Sequence, residues 1–321
     1  MIFFVFARKF DAVAGFKFGV LSKAERGFVL ADAHKTVFKA EPVSLEESTS
    51  VAASLKAIAL SCIRQFRLNE DALLRRRRPD ALHQTRVALR RLRSAFSLFK
   101  AVLPGDEPER LKQELRCLAA VLGEARNVDV LLAKAYDKDL AAKLKTARAA
   151  AYRDAIDALD SSRARALMLD LVHWLECGDD LARNGDASTN AARDFAARIL
   201  EKQRKRLKRD GNALAKTDDD QRHEVRKDAK KFRYAAEFFG SLFKDKRGAR
   251  RHKKFLEAME ALQDELGALN DLATGPDVLE KHGLRDHPAR DSIVSHGDKV
   301  ALIVKAQVAL DEVLDTKRFW K

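Results

Sequence analysis

One arrangement of charge is written twice in this chain, first from His83 and again from His223, 140 positions later. Arg86, Arg90, Arg91 and Arg93 stand 3, 7, 8 and 10 residues after the first histidine, and Arg226, Lys230, Lys231 and Arg233 stand at the same offsets from the second. At about 100° per residue, an α-helix gathers His83, Arg86, Arg90 and Arg93 into an arc of about 80°, with Arg91 on one flank. Leu82, Leu89, Leu92, Phe96 and Phe99 fall on the other side. In the second copy Val225, Phe232, Ala236 and Phe239 form the apolar side. The spacing predicts two amphipathic helices, each packing on one face and presenting cations on the other.

Taken alone, such a helix reads as an ordinary solvated surface. Solvated helix faces usually mix signs, because i,i+4 pairs of opposite charge stabilise by a few tenths of a kcal/mol and like pairs cost as much. From His83 to Arg93 there is no acid. The recurrence of the histidine and of the cation register therefore points to an anion lying across both stripes.

The rest of the chain agrees with a helical, polyanion-directed protein. Its net charge is +14 and its pI about 9.7, values that favour nucleic acid, an anionic membrane surface or a phosphate polymer as partner. Only 6 prolines and 14 glycines interrupt 321 residues, which favours helix nearly throughout. No apolar run is long enough to span a bilayer, and Met1 to Lys9 lacks the basic front and small-residue end of a secretory signal. Cys62, Cys117 and Cys177 are odd in number and widely spaced, so they read as small core residues of a cytoplasmic protein.

Residues 1–50 read as an N-terminal non-helical tail, because Phe16 to Ala40 is rich in Phe, Val and Gly. Helical periodicity begins at Val51. A first helix to about Leu74 ends in Arg75-Arg76-Arg77-Arg78-Pro79, and Asp80 offers an N-cap for the first motif helix. Further helices are expected over about 107–136 and 137–176, with a turn near Asp160-Ser161-Ser162. The best internal boundary runs from Cys177-Gly178 to Asn184-Gly185-Asp186. Beyond it, helices over about 191–215, from Asp218-Asp219-Asp220 through the second motif, over 249–273 and over 292–314 repeat the plan. Gly275-Pro276 is expected to stop the third of these. The coarse reading is all-α, with two four-helix halves at 51–183 and 190–321.

The two motifs resemble the paired signatures of the CHAD domain (conserved histidine α-helical domain), which run roughly H-x-x-R-V-x-x-R-R-L-R and H-x-x-R-K-x-x-K-K-x-R-Y-x-x-E. His83 to Arg93 and His223 to Glu237 match them almost position by position. Leu122-Gly123 with Arg126-Asn127-Val128-Asp129-Val130, the echo Leu266-Gly267-Ala268-Leu269-Asn270-Asp271, and the closing Phe319-Trp320 add to the likeness, although the family usually carries aspartate where Asn127 stands. The resemblance runs from about residue 51 to the end. It implies two pseudo-repeated helical bundles around a central basic cavity that binds inorganic polyphosphate, with targeting to, or organising of, polyphosphate granules in the cytoplasm. Leu21-Ser22-Lys23-Ala24-Glu25-Arg26-Gly27-Phe28 resembles the junction between a CYTH triphosphatase domain and a following CHAD domain. The tail carries no E-x-E-x-K strand, so it resembles a remnant or end of a CYTH domain and implies no triphosphatase activity.

The chemistry of the residues favours binding over turnover. P-loop, G-x-G-x-x-G, G-x-S-x-G and H-E-x-x-H motifs are all missing, no catalytic residue or cofactor is predicted, and arginines around a histidine oppose a metal cation. His282, His287 and His296 in one loop offer only an adventitious metal contact. Arginine brings a planar fork to phosphate, lysine a point charge and protonated histidine a further donor. Spread over about 15 Å of helix, these donors form a rail suited to a linear polyanion. Arg116, Arg126, Arg206, Lys253 and Lys254 are candidates to line the same site from neighbouring helices, and Tyr234 lies near the stripe where its hydroxyl could reach phosphate. RNA or single-stranded DNA is the competing partner, although readers of single strands interleave aromatics with cations and aromatics make up only 7% of this chain. A helical scaffold whose own acids, such as Glu237, neutralise the stripes is the third reading. Oligomeric state is not legible.

Overall fold

The computed structural model describes residues 2–31, 37–103, 105–178, 192–293 and 299–321. No strand occurs among them; the helices are α1 (Ile2–Ala14), α2 (Lys23–Ala31), α3 (Val51–Arg76), α4 (Pro79–Leu98), α5 (Glu107–Lys134), α6 (Lys138–Asp160), α7 (Ser162–Cys177), α8 (Ala192–Asp210), α9 (Asp219–Phe239), α10 (Lys246–Lys281) and α11 (Lys299–Asp315). The protein is all-α, and no described helix is long and apolar enough to cross a membrane. The boundary expected at 177–186 lies, from residue 179 onward, outside the described residues.

Local chemistry sets most of the helix ends. The first motif helix starts two residues earlier than an Asp80 cap would place it. Arg78 is the extended residue before the helix and Pro79 its first residue, a position where proline's fixed φ helps and its missing N–H is not needed. Asp218 opens α9 with a full capping box: its carboxylate accepts from the Gln221 backbone and the Gln221 side chain accepts from the Asp218 N–H. Ser161 accepts from the Ala164 N–H and starts α7. Gly275-Pro276 does not stop α10, which continues to Lys281. Proline removes one helical hydrogen bond there, and the buried Leu279 beyond it holds the last turn in the core.

The chain divides into two units, one made of residues 1–41, 52–130 and 145–189, the other of 42–51, 131–144 and 190–321. In the first, the apolar faces of α3, α4, α5, α6 and α7 supply the core through Leu55, Ile58, Phe66, Leu89, Phe96, Leu115, Leu122, Tyr152 and Leu171, all at most 2% exposed. Full burial of each large apolar side chain contributes about 1.5–3 kcal/mol. Phe96 stacks on Trp174 with centroids 5.4 Å apart. Of the cysteines expected in the core, Cys62 is buried, but Cys117 is partly exposed and Cys177 exposed.

The N-terminal tail is helical over Ile2–Ala14 and Lys23–Ala31, contrary to the expectation from its composition, and irregular over residues 15–22 and 37–50 as expected. Its first segment has an inner face that docks on α7: Ala7 is buried, Phe4 meets His173 at 4.7 Å between centroids, and Arg8 pairs with Asp170 at 2.7 Å and Asp11 with Arg165 at 2.5 Å. Ser22 and Glu25 form reciprocal hydrogen bonds with each other's backbone N–H, a capping box that starts α2 within the Ser22-Lys23-Ala24-Glu25 sequence. The intervening turn is tied to α3 through Arg67, whose Nε donates to the Phe18 carbonyl at 3.2 Å. The composition favoured irregular chain, but tertiary docking and a cap favour helix.

In the second unit α8, α9, α10 and α11 surround an aromatic cluster. Phe232, Phe255, Phe319 and Trp320 lie with centroids 4.8 to 5.9 Å apart, and His252 packs on Phe319 while its Nε2 meets the Ala236 carbonyl at 2.9 Å. The closing Phe319-Trp320 is thus core rather than tail. Residues 42–51 attach to this unit through Leu45, whose N–H donates to Ser241 Oγ at 2.8 Å.

Candidate functional site

The motif residues of the first unit sit on α4 above its buried Leu82, Leu89 and Leu92. His83 is half-buried, and Arg86, Arg90 and Arg93 are partly exposed beside it. Helix α5 adds two of the secondary candidates. Burial, then Arg126, Arg90 and Arg86, push the His83 imidazole down to about 4 against the opposing pull of Asp80. Burial, then Arg116 and Arg90, lower the proton affinity of Arg93. Both shifts have the same two causes, burial first and neighbouring cations second. Arg86 lies against Gly123 of α5, where its guanidinium occupies the space beside a residue without a side chain. Arg91 goes elsewhere; it is 4% exposed, because a residue on the stripe's flank is reached by the neighbouring packing.

The second unit repeats the register with different surroundings. His223 is exposed, and its Nδ1 meets Asn270 Oδ1 at 2.8 Å. With the amide oxygen accepting, Nδ1 carries the proton and a neutral ring keeps Nε2 as acceptor. Arg226 lies towards Gly267 as Arg86 lies towards Gly123. Lys230 and Lys231 are partly exposed. Acids are prominent here. Arg233 Nε pairs with Glu237 at 3.0 Å and its Nη2 approaches Glu260 at 3.9 Å. A pocket of about 170 Å³ beside His223 includes Asp219, Asp220 and Asp277. Tyr234 is 6% exposed and stacks with Phe238 at 6.4 Å, so it is a packing residue rather than a surface one.

Residues 57–280 match the CHAD domain, more than half of the chain. The chain belongs to the CHAD domain family. Its fold is similar to the crystal structure of the CHAD domain from the plant Ricinus communis, with a TM-score of 0.73 and 29% identity, covering 86% of this chain and 96% of that one. No curated protein matches the chain.

Within the CHAD fold the remaining candidates separate. Arg116 and Arg126 join the first stripe electrostatically. Arg206 is engaged by carboxylates, with Nε 2.7 Å from the buried Asp228 and 3.6 Å from Asp210. Burial raises the Asp228 carboxyl while Arg206 and Lys231 oppose that shift. Lys253 and Lys254 are exposed, Lys253 standing 4.0 Å from Glu257. The Arg75 to Arg78 run is exposed throughout, with Arg75 paired to Asp71 at 3.0 Å. His287 bonds Asp139 at 2.9 Å, and His296 lies outside the described residues. Two partners, Asn270 and Asp129, entered the sequence reading only as part of the family likeness, with no role given them. Asn270 stands three residues after Gly267 as Arg126 stands three after Gly123, a correspondence that the repeated Leu-Gly signals. Asp129 is buried between Arg148 and Tyr152, each 2.7 Å away, and ties α5 to α6.

Proposed function

We propose that the protein binds inorganic polyphosphate through the two motif stripes, without turnover, and that this binding associates it with polyphosphate granules in the cytoplasm. The observation that carries the reading is the concentration of Arg86, Arg90 and Arg126 around half-buried His83, which adds to the effect of burial in holding its imidazole near 4. Such repulsion is a standing cost in the free protein and becomes attraction once phosphate lies among the cations. Arginine forks and the repeated register suit a chain of identical phosphates. Membership of the CHAD family supports the same ligand.

Nucleic acid is the competing partner. The burial of Phe232 and Tyr234 weighs against it, because neither aromatic of the second motif is available for bases to stack on. The deciding experiment is competition of labelled polyphosphate with RNA and DNA at matched phosphate concentration and fixed salt. Polyphosphate should displace both; displacement of polyphosphate by RNA at equal phosphate would transfer the assignment to nucleic acid.

A further inference from the structure

Helix α8 carries a cationic stripe that is not part of the repeated motif. Arg198, Lys202, Lys205 and Arg209 recur at intervals of 4, 3 and 4, which places them within an arc of about 60° over about 16 Å of helix. They line an open groove of about 850 Å³, together with Arg206 and Lys321. Glu201 is the only acid among the described lining residues. It is already engaged, accepting from Trp320 Nε1 at 3.3 Å and lying 3.5 Å from Arg318 Nη1. Arg209 is paired with Asp210 and Arg206 with Asp228. Arg198, Lys202 and Lys205 are exposed and make no hydrogen bond or ion pair among the described residues.

The groove's chemistry selects among anions. Trp320, its one aromatic, is 5% exposed, so bases have no free ring face to stack upon. None of its lining residues is an exposed large apolar side chain that could enter a lipid surface. A row of cations at alternating rises of about 6 and 4.5 Å matches a ligand that presents charge continuously along its length.

We propose that the α8 groove is a second binding site for linear polyphosphate, holding a stretch of polymer separately from the motif stripes. This rests on the reading of the protein as a polyphosphate binder. A chain long enough to occupy both sites gains avidity, and a short one does not.

The test uses the full chain with two pairs of changes, Lys202→Glu with Lys205→Glu in the groove and Arg90→Glu with Lys230→Glu in the motifs. Lys202→Gln with Lys205→Gln separates charge loss from charge reversal, and circular dichroism reports folding. Calorimetry with tripolyphosphate, long polyphosphate and RNA is run over a salt series. The groove variant should bind tripolyphosphate at the motif stripes as wild type does. It should lose about tenfold in affinity for long polyphosphate, and its salt slope should fall by about 1.5 for two lost phosphate contacts. Wild-type affinity and slope for the long chain in both groove variants would overturn the proposal, as would loss of RNA binding with polyphosphate binding intact. If the motif variant keeps long-chain binding while the groove variant loses it, the groove stands and the motif reading fails.

Discussion

Arg86 rests against Gly123: a β-carbon added to that glycine would stand 3.5 Å from Arg86 Nη2, and one added to Gly267 would stand 3.9 Å from Arg226 Nη2. Each motif helix thus lays the arginine three residues after its histidine beside a glycine of the following helix in the same unit. Three residues beyond each glycine the units diverge. Arg126 acts on His83 through its charge, while Asn270 hydrogen-bonds His223.

The first expectation follows from that contact. Both distances are ordinary van der Waals separations, so Gly123→Ala should be accommodated and should stabilise by about 0.5–1 kcal/mol through helix propensity. Gly123→Leu should cost about 1–3 kcal/mol by overpacking and displace Arg86, weakening phosphate binding. Urea unfolding and binding at fixed salt measure both. A Leu variant that binds as wild type does would show that Arg86 is not held in place by this packing.

Charge reversal distinguishes the motif stripes from general basicity. Arg90→Glu with Lys230→Glu should abolish tripolyphosphate binding at the motif stripes at physiological salt, leaving long polymer only the α8 groove, and should leave helicity intact, because both residues are partly exposed. Arg76→Glu, on the exposed run after α3, should reduce affinity only slightly. Wild-type affinity should itself fall steeply with salt as counterions are released. Equal losses from Arg76→Glu and from the paired changes would indicate a diffuse basic surface.

The His83 imidazole sets a pH dependence. Its folded-state value of about 4 lies below the ordinary 6.5, so between these limits the unfolded chain holds the extra proton. The contribution of neutral His83 to stability should be complete above about pH 6.5 and lost as pH falls towards 4. Arg126→Asn, which copies the residue beside His223, should move the His83 titration upward by NMR. The move should be only partial, since burial is the larger cause. Bound polyphosphate reverses the local sign, so binding should take up protons and tighten as pH falls through this range. Calorimetry in buffers of different ionisation enthalpy measures the uptake. If wild type takes up no proton and His83→Gln binds as well at every pH, the histidine has a packing role.

The C-terminal aromatics are a stability test independent of binding. Phe319 is 1% exposed and touches Phe243, His252 and Phe255. Phe319→Ala should cost about 3–5 kcal/mol in chemical unfolding. A loss below about 1 kcal/mol would mean that the cluster repacks around the gap.

Helix positions, the apolar faces of α4 and α9 and the cationic stripes could be read from sequence because each depends on local periodicity and local caps. The offsets from His83 and His223 require only 3.6 residues per turn, and Asp218 caps α9 with its own neighbour Gln221. What lies against a stripe depends on residues distant in the chain. Arg91 and Tyr234 sit at stripe margins by angle, yet both are buried, because the edge between a packed and a solvated face is drawn by the neighbouring helices and not by the helix itself. The N-terminal helices form because α7 and α3 offer them partners, and α10 passes Pro276 because Leu279 is buried beyond it. The same holds for the two histidines. Sequence alone placed cations at identical offsets from each; the fold put Arg126 near one and Asn270 on the other, and so gave the first stripe a depressed imidazole and the second a hydrogen-bonded one.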